Sequence, residues 1–129
     1  MRNMYKVVFA AAAALSLATG VAHAEGDVAK GEKVFKKCKA CHVADEEKNK
    51  VGPHLVNIVG RQAGSVEGYK YGKGLTDKAA EIGAWDEAKL DAYLTDPKAF
   101  VEGKSKMAFK LKKEADRANV IAYLKSLAK

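Results

Sequence analysis

Cys38-Lys39-Ala40-Cys41-His42 constrains this chain more than any other stretch. Two thiols at this spacing can add across the two vinyl groups on one edge of a porphyrin. A histidine directly after the second thiol then lies under the ring, where its free nitrogen reaches iron. C-x-x-C-H is the attachment pattern of a c-type haem. A bare C-x-x-C is also compatible with zinc, a redox dithiol or a disulfide; the added histidine singles out the haem. Cys38 and Cys41 are the chain's only cysteines, so the motif uses both.

The start of the chain predicts where this chemistry happens. Arg2 and Lys6 precede an apolar, alanine-rich run from Val7 to Ala18, and Ala22-His23-Ala24 forms a small-x-small cleavage site. This is the pattern of a secretory signal peptide over residues 1–24. The 12-residue run is short of the roughly 20 residues needed to span a bilayer. Residues 25–129 are thus expected to form one small exported, soluble domain, placed in the periplasm.

Such a chain has little apolar side-chain volume with which to build a core, and a porphyrin would supply a large apolar body. The formal net charge of the whole chain is +7, and loss of Arg2 and Lys6 with the leader lowers it by two. A basic balance fits nucleic acid or acidic protein surfaces. Export argues against nucleic acid and leaves acidic protein partners.

Asp27 is placed to N-cap a first helix through Val28, Gly31 and Phe35 that runs into the haem motif. Trp85-Asp86 opens a second, with Asp86 as cap, Glu87 in the first turn, Leu90, Tyr93 and Leu94 on one face, and Pro97 as its end. Val120, Ile121, Leu124 and Leu127 form the stripe of a last helix. Glycines at 52, 60, 64, 68, 72 and 74 predict loops and turns in between, with a short helix around Thr76 to Glu81. No run alternates long enough to make a sheet. The expected fold is all-α, three main helices plus loops wrapped around one covalently bound haem.

Iron needs axial ligands, and after residue 24 the chain offers only two histidines, His42 and His54, and one methionine, Met107. His42 is placed by its motif. The second position is open to Met107, His54, a lysine or no ligand. Met107 lies in a polar, basic loop with Lys106 and Lys110 around it, a poor setting for core filler, which favours it as ligand. His54 reads as an ordinary surface or capping histidine.

Taken together, the motifs resemble those of the small class I cytochromes c, the mitochondrial protein and its short periplasmic bacterial relatives. The matching segments are Gly26 to Gly31, Cys38 to His42, Gly52-Pro53, Gly60-Arg61, Tyr69, Tyr71, Trp85, Tyr93 to Lys98, Lys106 to Phe109 and Ile121 to Lys125. Two departures stand out. The familiar Gly-Pro-Asn-Leu is Gly52-Pro53-His54-Leu55, and Gly-Thr-Lys-Met has become Gly103-Lys104-Ser105-Lys106-Met107, one residue longer.

The resemblance implies roles for individual positions. Cys38 and Cys41 hold haem c, and His42 and Met107 ligate iron. The Pro53 carbonyl accepts a hydrogen bond from His42, and Tyr93 directs its hydroxyl at the Met107 sulfur. Arg61, Tyr71 and Trp85 surround a buried propionate, with Ser105 as a further donor. Lys37, Lys98, Lys106, Lys110, Lys112 and Lys113 ring the exposed haem edge. The implied function is that of a monomeric electron carrier and not an enzyme. It would take single electrons from a ubiquinol–cytochrome c reductase to a terminal oxidase or a photosynthetic reaction centre, docking transiently on these membrane complexes. Two other readings compete: a haem enzyme or gas sensor with an open sixth position, and a thiol–disulfide oxidoreductase using Cys38 and Cys41.

Overall fold

The computed structural model describes residues 25–129. The expected cleavage after Ala24 lies at the edge of that range, and residues 1–24 lie outside it. Five helices follow one another: α1 (Val28–Phe35), α2 (Lys73–Ile82), α3 (Glu87–Thr95), α4 (Pro97–Val101) and α5 (Glu114–Ser126). Among the described residues there is no strand, only an isolated bridge between Gln62 and Ala84. None of their helices is long and apolar enough to cross a membrane.

Local chemistry starts three of these helices. The Asp27 carboxylate accepts from the Lys30 N–H at 2.9 Å, Asp86 from Lys89 at 2.7 Å, and Asp96 from Ala99 at 3.2 Å. Each satisfies a first-turn donor that has no partner inside the helix. Pro97 does end α3, but it also opens α4, a helix that the sequence pattern does not announce. Proline lacks the N–H that a first helical position leaves unused, and Asp96 is at hand as cap. The Ala99 N–H and the Lys110 ammonium together hold the Asp96 carboxyl below its usual range. The second difference is α2, which begins at Lys73 rather than near Thr76.

The core forms where α1 and α3 meet α5. Phe35, Leu90, Leu111, Val120, Ile121 and Leu124 are buried together with Ile82 and Trp85. Gly31 and Phe35 face inward as expected, whereas Val28 is 46% exposed. Arg117, on α5, is buried as well. Its Nε donates to Asp91 on α3 at 2.7 Å, and one terminal nitrogen donates to the carbonyls of Leu111 and Lys112, each at 2.9 Å. A buried guanidinium is tolerable only with such partners. Arg117 thereby joins α3, α5 and the segment that follows Met107.

At the α1–α5 crossing the backbones touch. A Cβ on Gly31 would lie 1.9 Å from the Asn119 carbonyl oxygen and 2.7 Å from the Tyr123 Cβ. The Asn119 side chain also accepts the Asp27 N–H at 2.8 Å. Gly31→Ala should therefore destabilise the protein, although alanine is the better helix former by about 1 kcal/mol. The obstacle is backbone, so the upper part of the ~1–3 kcal/mol cost of overpacking applies. A net loss of this size is a fall in Tm on the order of 10 °C. A thermal melt that moves upward instead would show the crossing to be looser than this contact requires.

The long connection from α1 to α2 is stitched to the rest by backbone hydrogen bonds, as buried peptide groups require. Gly60 donates to Trp85 at 2.6 Å, Trp85 to Arg61 at 2.8 Å and Ala63 to Gly83 at 2.9 Å. Gly52 donates to Cys41 and Leu55 to Val43, both at 2.8 Å. The loop consequently folds back along the segment carrying the cysteines.

Candidate functional site

After α1 the chain tightens into successive turns. Cys38 donates to Phe35 at 2.8 Å, Cys41 to Cys38 at 3.1 Å and His42 to Cys38 at 3.0 Å. Cys38, Cys41 and His42 are presented together on one wall of a cavity of about 390 Å³. The apolar lining comes from Phe35, Leu55, Ile58, Leu75, Leu90, Leu94, Val120 and Leu124. Both thiols are free and half-buried. Burial is the main influence on the Cys38 thiol and pushes it up, against an opposing pull from Lys37.

His42 Nδ1 lies 2.8 Å from the Pro53 carbonyl oxygen. A carbonyl only accepts, so Nδ1 carries the proton and Nε2 keeps its lone pair. Burial holds the imidazole below its ordinary range, Pro53 opposes this and Arg61 adds to it. The ring is thus a neutral, oriented donor to a metal. Gly52, to which the sequence pattern gives no role beyond a turn, packs on this ring: a Cβ there would sit 2.3 Å from His42 Cε1.

Met107 reaches the same cavity from the connection between α4 and α5, accompanied by Tyr93, Lys104, Ser105 and Lys106. The Ser105 hydroxyl donates to the Met107 carbonyl at 2.8 Å and accepts the Met107 N–H at 3.2 Å. The resemblance implies Ser105 as a further donor; here its hydroxyl also closes the loop that carries Met107. Burial pushes the Tyr93 hydroxyl up, with Ser105 opposing, so it stays a neutral donor. Trp85, Tyr93 and Phe100 form an aromatic cluster with ring centroids 5.3–5.8 Å apart, which backs the cavity beside Met107.

Arg61, Tyr71 and Trp85 also line it. One terminal nitrogen of Arg61 donates to the carbonyls of His54 and Val56, each at 3.0 Å. Its Nε is buried with no hydrogen-bond partner within the protein. Tyr71 accepts the Val66 N–H at 3.0 Å, which leaves its own proton free to donate. Burial lowers the Arg61 guanidinium, with Tyr71 acting against that. A buried cation with an orphaned donor calls for an anionic acceptor, and a porphyrin carboxylate is one. The rest of the donor set fits the same group: two thiols, a neutral imidazole with its lone pair available, a thioether, and an apolar enclosure.

His54 does not line this cavity. Its Nδ1 accepts from the Val56 N–H at 3.3 Å and lies 3.5 Å from an Arg61 nitrogen, while the His54 backbone N–H donates to Asn49 Oδ1 at 3.0 Å. It serves the turn as a capping side chain. Of the six expected rim lysines, Lys37 and Lys106 line the cavity. Lys106 is drawn onto the Lys70 carbonyl and stands 5.5 Å from the Tyr69 ring centroid. Lys110 pairs with Asp96 at 3.1 Å. Both are therefore partly engaged inside the fold. Lys98, Lys112 and Lys113 are exposed. Lys104, which is not among those six, belongs to the cavity lining as well; its place in the lengthened loop is the one sequence signal for it. Among the described residues no three His, Cys, Asp or Glu side chains cluster as a metal ion would require, so the zinc reading of the C-x-x-C pair finds no further ligands there.

An all-helical fold around one apolar cavity, with the C-x-x-C-H wall and a thioether loop, defines a small c-type haem protein. The cytochrome c family model matches residues 28–128, and the chain belongs to that family as a class I c-type cytochrome. It is 49% identical to cytochrome c2 of Rhodospirillum rubrum, over 89% of this chain and 91% of that protein. It is 44% identical to cytochrome c-550 of Paracoccus versutus, over 91% of this chain and 85% of the relative. The solved structure of cytochrome c2 from Rhodospirillum centenum superposes with a TM-score of 0.75 at 41% identity, covering 81% of this chain and all of that one. These relationships define a mono-haem electron-carrier cytochrome of the bacterial type.

Proposed function

We propose that this protein carries single electrons through the periplasm, from a ubiquinol–cytochrome c reductase to a terminal oxidase or a photosynthetic reaction centre. In this reading Cys38 and Cys41 would hold haem c covalently, and His42 and Met107 would ligate its iron. One observation carries the ligand assignment: a neutral imidazole with its lone pair free and the one methionine of residues 25–129 line the same apolar cavity as both cysteines.

When bound, the haem supplies an Fe(III)/Fe(II) couple. The Pro53 carbonyl keeps the His42 proton on Nδ1 and so directs Nε2 to the metal. The Met107 sulfur is soft and favours the reduced state, which raises the potential. The apolar lining excludes water and disfavours an added positive charge, which acts in the same direction. Arg61 and Tyr71 supply donors for a carboxylate that would otherwise be costly to bury. With both His42 and Met107 available to hold the iron, a substrate would find no free place on it, which supports a carrier over an enzyme. Burial raises the Cys38 thiol, opposite to the depressed value a reactive dithiol needs.

Absorption spectra of the two redox states test this reading. A covalent haem with a weak sulfur-to-iron(III) charge-transfer band is expected. Tight carbon monoxide binding by the native reduced protein would overturn it in favour of an open-site enzyme or sensor.

The partners are supported by the basic balance and by the exposed lysines near the cavity. Such charges act over about 10 Å at 0.1 M salt, mainly on the rate of encounter. The second-order rate with a purified reductase or reaction centre should fall steeply as salt rises. Lys37→Gln and Lys112→Gln should each slow it and flatten its salt dependence, and Lys48→Gln, which is absent from the cavity lining and stands beside Glu46 and Glu47, should do much less. Stopped-flow traces at several ionic strengths decide this. Equal losses at Lys48 and Lys37 would make the charge pattern solubilising only.

A further inference from the structure

The N-cap position of α2 is Gly72, which has no side chain with which to accept the N–H groups of the first turn. One of them, the Gly74 N–H, donates instead to the carbonyl of Lys104 at 2.9 Å. Lys104 belongs to the loop that ends at Met107. The loop therefore caps the helix, and the helix holds the loop. This contact has room for glycine only. A Cβ on Gly74 would lie 2.5 Å from the Lys104 oxygen and 2.6 Å from Val101 Cγ2. Gly103 runs alongside, and a Cβ added there would meet the Gly74 Cα at 3.6 Å, an ordinary contact. A bridge of 2.8 Å from Lys78 on α2 to Glu102 fixes the other end of the same loop.

We propose that Gly74 is a positioning residue for Met107: by giving its N–H to Lys104 across a glycine-only contact, it sets where the lengthened loop delivers the sulfur. The proposal rests on the reading of Met107 as an iron ligand. Helix propensity alone would make Gly74→Ala stabilising, so the sign of the effect separates the two accounts.

The test uses ferric holoprotein. The wild type should show the sulfur-to-iron(III) band; its absence there would sink the Met107 reading, and this proposal with it. With the band present, Gly74→Ala should weaken it and tighten imidazole binding at least about tenfold, equivalent to ~1.4 kcal/mol. Its far-ultraviolet circular dichroism should stay native, and Gly103→Ala should match the wild type. An unchanged band and imidazole affinity in Gly74→Ala would overturn the positioning role alone. Should Gly74→Ala not fold, hydrogen exchange decides, because coupling is reciprocal. Met107→Ala should speed exchange of the Gly74 amide at least about tenfold, while the Leu90 amide, bonded to Asp86, stays as protected as before. Equal exchange of the Gly74 amide with and without Met107 would overturn the proposal.

Discussion

Replacing Met107 with alanine is expected to abolish the sulfur-to-iron(III) band and to lower the reduction potential on the order of 0.1 V or more, a fraction of the roughly 0.8 V that axial ligands span. Residues 25–129 contain no second methionine, so no other thioether can take over. His54, the other histidine of these residues, lies outside the cavity lining, with its Nδ1 turned to the Val56 N–H and the Arg61 guanidinium. The variant should therefore present an open position and bind imidazole or carbon monoxide. Tyr93 and Ser105 should not compensate, since Ser105 is hydrogen-bonded to the backbone of residue 107 whatever side chain stands there. Visible spectra and a redox titration of the variant check this. A surviving sulfur band would sink the assignment outright.

The largest effect on stability is expected from removing the cysteines. Cys38→Ala with Cys41→Ala, produced without haem, should show little helical circular dichroism at 25 °C. Phe35, Leu90, Val120 and Leu124 belong at once to the core and to the cavity lining. Without the porphyrin these side chains lose their packing partner on one side of a cavity of about 390 Å³. A small domain has only about 5–15 kcal/mol of stability to set against such a loss. The helices have few other resources: α4 is 5 residues and α1 is 8, too short to persist alone. A cooperative thermal transition in that apoprotein would show that α1, α3 and α5 hold together without the porphyrin.

Much of the site is legible in the amino-acid sequence, because its chemistry is written in adjacent residues. The spacing of Cys38, Cys41 and His42 is a local matter, and the turns after α1 present them without distant help. Asp27 and Asp86 announce α1 and α3 through caps that act within three residues, and both helices start where these caps put them. Val120, Ile121 and Leu124 are buried as their helical spacing predicts.

What escapes a sequence pattern depends on groups far away in the chain. Val28 matches the apolar face of α1 yet stays exposed, because α5 meets that helix at Gly31 and Phe35. Nothing around Arg117 marks it as buried; its partners are Asp91 and two carbonyls. Pro97 reads as a stop, and whether a helix also starts there depends on where Asp96 turns its carboxylate. The early start of α2 follows from the Lys104 carbonyl, which no local pattern foretells. Ser105 lines the cavity as its position suggests, but that its hydroxyl also closes the loop around Met107 follows from no local pattern.

By itself, then, the sequence determined the cofactor class, the two cysteines and the histidine that attach and face it, the all-α character and the two helices, α1 and α3, that carry their own caps. Those properties come from covalent spacing and from hydrogen bonds between neighbours, which need no tertiary partner. The tertiary structure alone decided which lysines remain free, how Arg61 is left with an unpaired buried donor, and how glycines at 31, 52 and 74 let backbone or ring approach. These depend on distances between segments that are not neighbours in the sequence, and such distances exist only once the chain has closed around its apolar centre.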